Sequence, residues 1–104
     1  MAIVADVSIA PFGEGTSLGK YAKRAVEVLR ASGLRLEVGA MSTTLEANST
    51  LEIFEAVQKA KEAVFAMGVK RVYVVLRIDE RMDRRITIDT KKNAVIDRKQ
   101  HLER

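Results

Sequence analysis

Two short runs of this chain each set a hydroxyl two positions from a carboxylate. They are Asp6 and Ser8 in IVADVSIA (residues 3–10), and Thr44 and Glu46 in MSTTLEA (41–47). Residues two apart on a β-strand share a face, so each run presents its acid and its hydroxyl side by side. Carboxylates attract a cation, hydroxyls orient it, and a nearby ring adds its electron-rich face. Tyr73, in RVYVVLRID (71–79), is the ring on offer. The same two carboxylates could in principle form an acid–base pair, but nothing in the sequence indicates a bond for them to break.

Other chemistries fail on residue type. The chain has no Cys, which removes disulfides, zinc–thiolate sites, iron–sulfur ligation and thiol catalysis together. His101 is the single His and stands near the C-terminus. It reads as a surface residue: one His builds neither a metal site nor a Ser/His/Asp set. GEGTSLGK (13–20) resembles a phosphate loop, but that pattern needs Gly at position 14 and Ser or Thr at position 21. Glu14 and Tyr21 stand there instead, so the segment reads as a flexible loop near the ligand site. No metal and no cofactor is expected.

The elements that must position these residues follow from the apolar period. Residues 3–10 alternate, and Pro11 ends that strand. Ser17 is the expected N-cap of a helix whose apolar face is Leu18, Tyr21, Ala22, Ala25, Val28 and Leu29, with Gly33 closing it. LRLEV (34–38) is a second strand burying Leu34, Leu36 and Val38; Gly39-Ala40 is a turn, and 41–47 is a third strand. Ser49 and Glu52 form a capping box for a helix with face Ile53, Val57, Ala60, Val64 and Met67, closed by Gly68. RVYVVLRID is the fourth strand. A short basic helix is expected from about Thr90 to Leu102, packing through Ala94, Val95 and Ile96.

The order β-α-β-β-α-β plus a terminal helix, with right-handed crossovers, gives an α+β, ferredoxin-like split βαβ arrangement. Its antiparallel sheet runs 4-1-3-2, with both crossover helices on one face. The other face is expected to be uncovered and the second and fourth strands to be free edges. Period-2 counting puts Asp6, Ser8, Thr44 and Glu46 in the middle of that face, with Glu37 on one flank and Tyr73 and Arg77 on the other. Glu46 and Arg77 could also pair as an ion pair at an interface. Val4, Ala10, Tyr73 and Val75 are apolar for a wetted surface, which suggests that another subunit lies over them.

Composition bounds the function. At 104 residues, with 47% hydrophobic and 31% charged residues, the chain reads as one soluble domain spanning residues 1–104. No apolar run approaches the roughly 20 residues of a membrane span, and no signal peptide is apparent, so the cytoplasm is the expected compartment. Residues 1–80 hold ten basic and ten acidic side chains; residues 81–104 hold eight and four. The net charge of +4 therefore comes from the C-terminal segment. RNA-recognition domains share this topology, but they stack bases on aromatics of the two central strands. Here those strands offer acids and hydroxyls, which disfavours nucleic acid.

In this order the pieces VSIAPFGEGTSLGKY, RASGLRLEVGAMSTTLEA, EIFEAVQKAKEAVFAMGVKRV and VLRIDER resemble the small thiamine-binding, YkoF-like domains, over residues 2–97. The most specific piece is that family's Met-Gly-Thr-x-hydrophobic-Glu-Gly stretch, matched by Met41 to Ala47, with Ser42 and Ala47 in place of its glycines. The resemblance implies a ferredoxin-like binding protein rather than an enzyme, a ligand such as thiamine or its pyrimidine portion, and assembly into homodimers and homotetramers. On this reading Glu46 and then Asp6 meet the thiazolium charge, Tyr73 stacks, and Ser8, Thr43 and Thr44 supply hydrogen bonds, with Arg77 at the rim. Thr43 enters from the family match alone; alternation points it towards the helices. An interaction protein without a ligand is the alternative, and RNA binding a weaker one.

Overall fold

Alternation does set the strands. The computed structural model describes residues 2–99; the expected end of the terminal helix at Leu102, and His101, lie outside the described residues. The elements are β1 (Ile3–Pro11), α1 (Gly19–Ala31), β2 (Arg35–Val38), β3 (Thr43–Ala47), α2 (Thr50–Phe65), β4 (Val72–Asp79) and α3 (Ile88–Lys99). The sheet is antiparallel with order β2-β3-β1-β4, the expected 4-1-3-2 read from the other edge.

The inner face of the sheet packs on α1 and α2. Ile3, Val7, Leu29, Leu45, Ile53 and Val64 are its largest fully buried side chains, and each large aliphatic side chain buried there contributes roughly 1.5–3 kcal/mol. Helix α2 starts where the capping box places it: Ser49 Oγ accepts from Glu52 N at 3.2 Å. The return bond runs from Asn48 N to Glu52 Oε1, one residue earlier than the motif requires. Ser32 caps α1, and Gly33 follows at φ +83°, a backbone geometry that favours glycine.

Several local expectations shift. Leu18, not Ser17, occupies the N-cap position of α1, with no side-chain capping bond. Met67 lies beyond the end of α2 and is exposed, while Ala56 takes its place in the buried stripe. Val38, on the free edge strand β2, is half exposed. Strand β3 begins at Thr43 rather than residue 41, because Gly39 N donates to Ser42 O at 2.9 Å and closes the hairpin there. A Cβ at Gly39 would sit 2.9 Å from that same oxygen, so no side chain fits.

The largest difference concerns α3. It starts two residues earlier than expected, and its Val95 and Ile96 are exposed rather than packed. The apolar anchor is instead Ile86 and Ile88, which bury Val4. The outer face is therefore partly covered by the chain's own terminal helix, and Val4 needs no second subunit to hide it. Thr87 caps this helix reciprocally: its Oγ1 accepts from Thr90 N at 3.1 Å, while Thr90 Oγ1 accepts from Thr87 N at 2.9 Å.

Candidate functional site

Strand register arranges the outer face in rows. Arg35, Glu46, Val4 and Asp79 form one row, and Glu37, Thr44, Asp6 and Arg77 the next. Further along, Ser8 lies opposite Val75 and Ala10 opposite Tyr73. Asp6 and Glu46 thus share the outer face in neighbouring rows, as alternation requires.

The two acids have different partners. Glu46, with a side chain 16% exposed, accepts from Ile88 N at 2.9 Å. It places negative charge at the N-terminus of α3, where the helix dipole favours it. Arg35 and Asp79 of that row, and Glu37 of the next, are tied to the same helix. Arg35 makes a two-pronged pair with Asp89 at 2.9 Å and 2.9 Å, Lys92 Nζ reaches Glu37 at 3.1 Å, and Lys91 pairs with Asp79. The alternative ion pair between Glu46 and Arg77 does not form; their rows differ and Arg77 pairs with Asp6.

Asp6 accepts from Arg77 Nε at 2.9 Å and Nη2 at 2.5 Å, and from Ser42 Oγ at 3.3 Å. The hydrogen bond from Arg77 holds the Asp6 carboxyl below the usual aspartate range; burial opposes this, and the arginine's charge and Ser42 add to it. The acid is therefore ionised at neutral pH. Its side chain is 19% exposed, whereas that of Arg77 is 78% exposed. The carboxylate is set into the sheet and its counterion reaches it from solvent. A cavity of about 390 Å³ opens here, lined by Val4, Asp6, Thr44, Arg77, Asp79 and Lys91.

The other expected site residues lie elsewhere. Ser8 is half-buried on the outer face. Tyr73 lies four residues of register from Asp6's partner Arg77, about 13 Å along the strand. It stacks on Phe12 at 5.4 Å, with Arg71 over that ring at 4.7 Å. Thr43 is buried on the inner face and lines a different cavity, beside α1. Reading by alternation missed Ser42 as a partner of Asp6, and it missed Lys91. The Thr87-x-x-Thr90 spacing was the available signal for where α3 begins.

An antiparallel four-stranded sheet with two crossover helices on one face defines a ferredoxin-like α+β protein. Residues 5–96 match the profile of a family described as thiamine-binding protein, and the chain belongs to that family. It is 43% identical to the UPF0045 protein MJ1052 of Methanocaldococcus jannaschii, over 89% of this chain and 91% of that one. The crystal structure of that relative gives a TM-score of 0.84, covering 90% and 95% of the two chains. A UPF0045 protein of Methanothermobacter thermautotrophicus is 44% identical over 78% of this chain and 83% of its own. A Thermotoga maritima protein, described provisionally as one of thiamine biosynthesis or salvage, has a TM-score of 0.78 at 26% identity, covering 90% and 98%.

Proposed function

We propose that this protein binds a small, flat, cationic metabolite of the thiamine type without catalysing a reaction on it. The ligand's charge rests against Asp6 on the outer face. The observation that carries this reading is a half-buried, ionised carboxylate whose only cationic partner among the described residues is an exposed arginine. A ligand cation can replace Arg77 without leaving Asp6 bare, which matters because an unpaired buried charge is costly. Thr44 borders the same cavity and offers a hydroxyl for orientation. Glu46 acts through α3, whose first turn it holds beside the cavity. Membership of a thiamine-binding family agrees with this chemistry.

Binding takes place in a homo-oligomer, a dimer or tetramer, in the cytoplasm. Phe12, just after β1, stacks on Tyr73 of the edge strand β4, and both are exposed, as is Val75 of the same strand; a second copy covering them would remove apolar surface from water. Light scattering checks this: a monomer at micromolar concentration contradicts it. Calorimetry with thiamine and with its pyrimidine fragment tests the binding; no heat from either contradicts the proposal. If heat is absent while the oligomer persists, the same exposed aromatic edge favours an interaction protein with no small ligand. Nucleic acid is disfavoured by the acids at the centre of the face, and a salt-dependent shift of mixed oligonucleotides would reverse that reading.

A further inference from the structure

The segment between β4 and α3, residues 80–87, carries Arg81, Arg84 and Arg85. Its backbone is anchored on both sides of these arginines. Asp79, the last residue of β4, pairs with Lys91 of α3, and Ile86, directly after Arg85, is buried with Val4 and Ile88. The three arginines and Lys91 line a cavity of about 530 Å³, together with Asp79, Thr90 and Val95. That volume is within the usual range for small ligands.

Four cations around one cavity repel one another unless anions intervene. Among the described residues two ion pairs do so: Arg81 with Asp83, its Nε donating at 2.8 Å, and Lys91 with Asp79. The hydrogen bond from Arg81 holds the Asp83 carboxyl below its ordinary value, and the charge of Arg84 adds to this. One carboxylate offsets only one guanidinium, however. Arg84 and Arg85 are exposed and form no ion pair among the described residues. Glu80, the remaining acid of the segment, is exposed and does not line the cavity. Four cations against two carboxylates leave a surplus of two positive charges.

We propose that this cavity is an anion site, for the phosphate of a small monoester. A guanidinium is a planar fork that matches phosphate oxygens two at a time. A phosphate monoester carries about −1.5 to −2 charges at pH 7, which matches the surplus. A carboxylate or a phosphodiester carries one, and leaves half of it uncompensated; the backbone of a nucleic acid is therefore the poorer ligand. Val95, 66% exposed, gives the cavity an apolar wall for the group that the ester carries. The Lys91–Asp79 pair lines both this cavity and the one at Asp6, so the two adjoin but take opposite charges.

The test is calorimetry of the whole protein with phenyl phosphate, with dimethyl phosphate and a mixed oligoribonucleotide for comparison. Phenyl phosphate should bind at one site per chain, at least tenfold more tightly than dimethyl phosphate. Its binding should weaken below about pH 6, where the ester takes up its second proton. Arg84→Gln and Arg85→Gln, both at exposed positions, should each weaken it roughly tenfold, because each removes a charged hydrogen-bond partner. Lys23→Gln, the same change of charge on α1 at the opposite face of the sheet, should leave it unchanged. Equal affinity for monoester and diester, tighter binding of the oligoribonucleotide, losses in Lys23→Gln equal to those in the arginine variants, no loss in either arginine variant, or no saturable binding of phenyl phosphate would each overturn the inference. The probe carries no cation, so failure here is distinct from failure of thiamine to bind at Asp6.

Discussion

The two faces of this sheet are closed by different forces. On the inner face, α1 and α2 bury Ile3, Val7, Leu45, Ile53 and Val64 completely or nearly so. On the outer face, α3 is held by one small apolar cluster, a capped N-terminus and three ion pairs whose side chains are about half exposed. Burial of apolar surface is insensitive to pH and strengthened by many salts; exposed ion pairs are screened and individually weak. The inner face is thus the rigid support. The outer face carries the ionised acid, the exposed arginine and the helix held by weaker contacts that a binding site can use.

The sharpest way to break this comparison is in the core. Ile53→Ala should cost about 2–5 kcal/mol in denaturant unfolding; a loss below 1 kcal/mol would mean that the inner face is not the main support. Next in size is the ligand. Asp6→Asn should weaken thiamine binding roughly tenfold or more, since a charged hydrogen-bond partner is lost, and should lower the unfolding midpoint less than Ile53→Ala does, because the Arg77 partner is exposed. Ser49→Ala removes the α2 cap and should cost about 1 kcal/mol.

The smallest effect concerns acid and the attachment of α3. Asp89 is held below the usual aspartate value of 3.8 by its hydrogen bonds from Arg35 and by that residue's charge, and Asp6 is likewise lowered by Arg77. Both carboxyls ionise at lower pH folded than unfolded. Their contribution is complete above 3.8 and fades as pH falls through the lower folded values. Hydrogen exchange should therefore rise first in the amides of α3 as pH drops below about 4, while those of α2 stay protected. Equal loosening of both helices would erase the distinction between the faces.

Strand pairing was legible in the sequence because a one-residue slip would have sent Leu45 and Val7 into water. Asp6 and Glu46 fall on one face for the same reason. The capping of α2 was legible because Ser49 and Glu52 act locally. Docking of α3 was not. Its Val95 and Ile96 suggest a packing surface, yet both are exposed, and the helix is anchored by Ile86 just before it, by Ile88 at its first position and by charges whose partners lie some 50 residues away. Counting also set Tyr73 beside the acids, because alternation fixes a face but not the row; the register with β1 places it four residues further along. Thr43 was the one disagreement between family match and alternation, and the structure puts it with the helices, lining the cavity beside α1.

The account rests on the charge at Asp6. The most direct measurement compares, by calorimetry, thiamine with an isostere whose thiazolium is replaced by an uncharged ring, in the wild-type protein and in Asp6→Asn. A preference for the cation of roughly tenfold or more in the wild type, collapsing towards none in the variant, is the predicted result. Equal affinity for both ligands in the wild type, or an undiminished preference in Asp6→Asn, would contradict it.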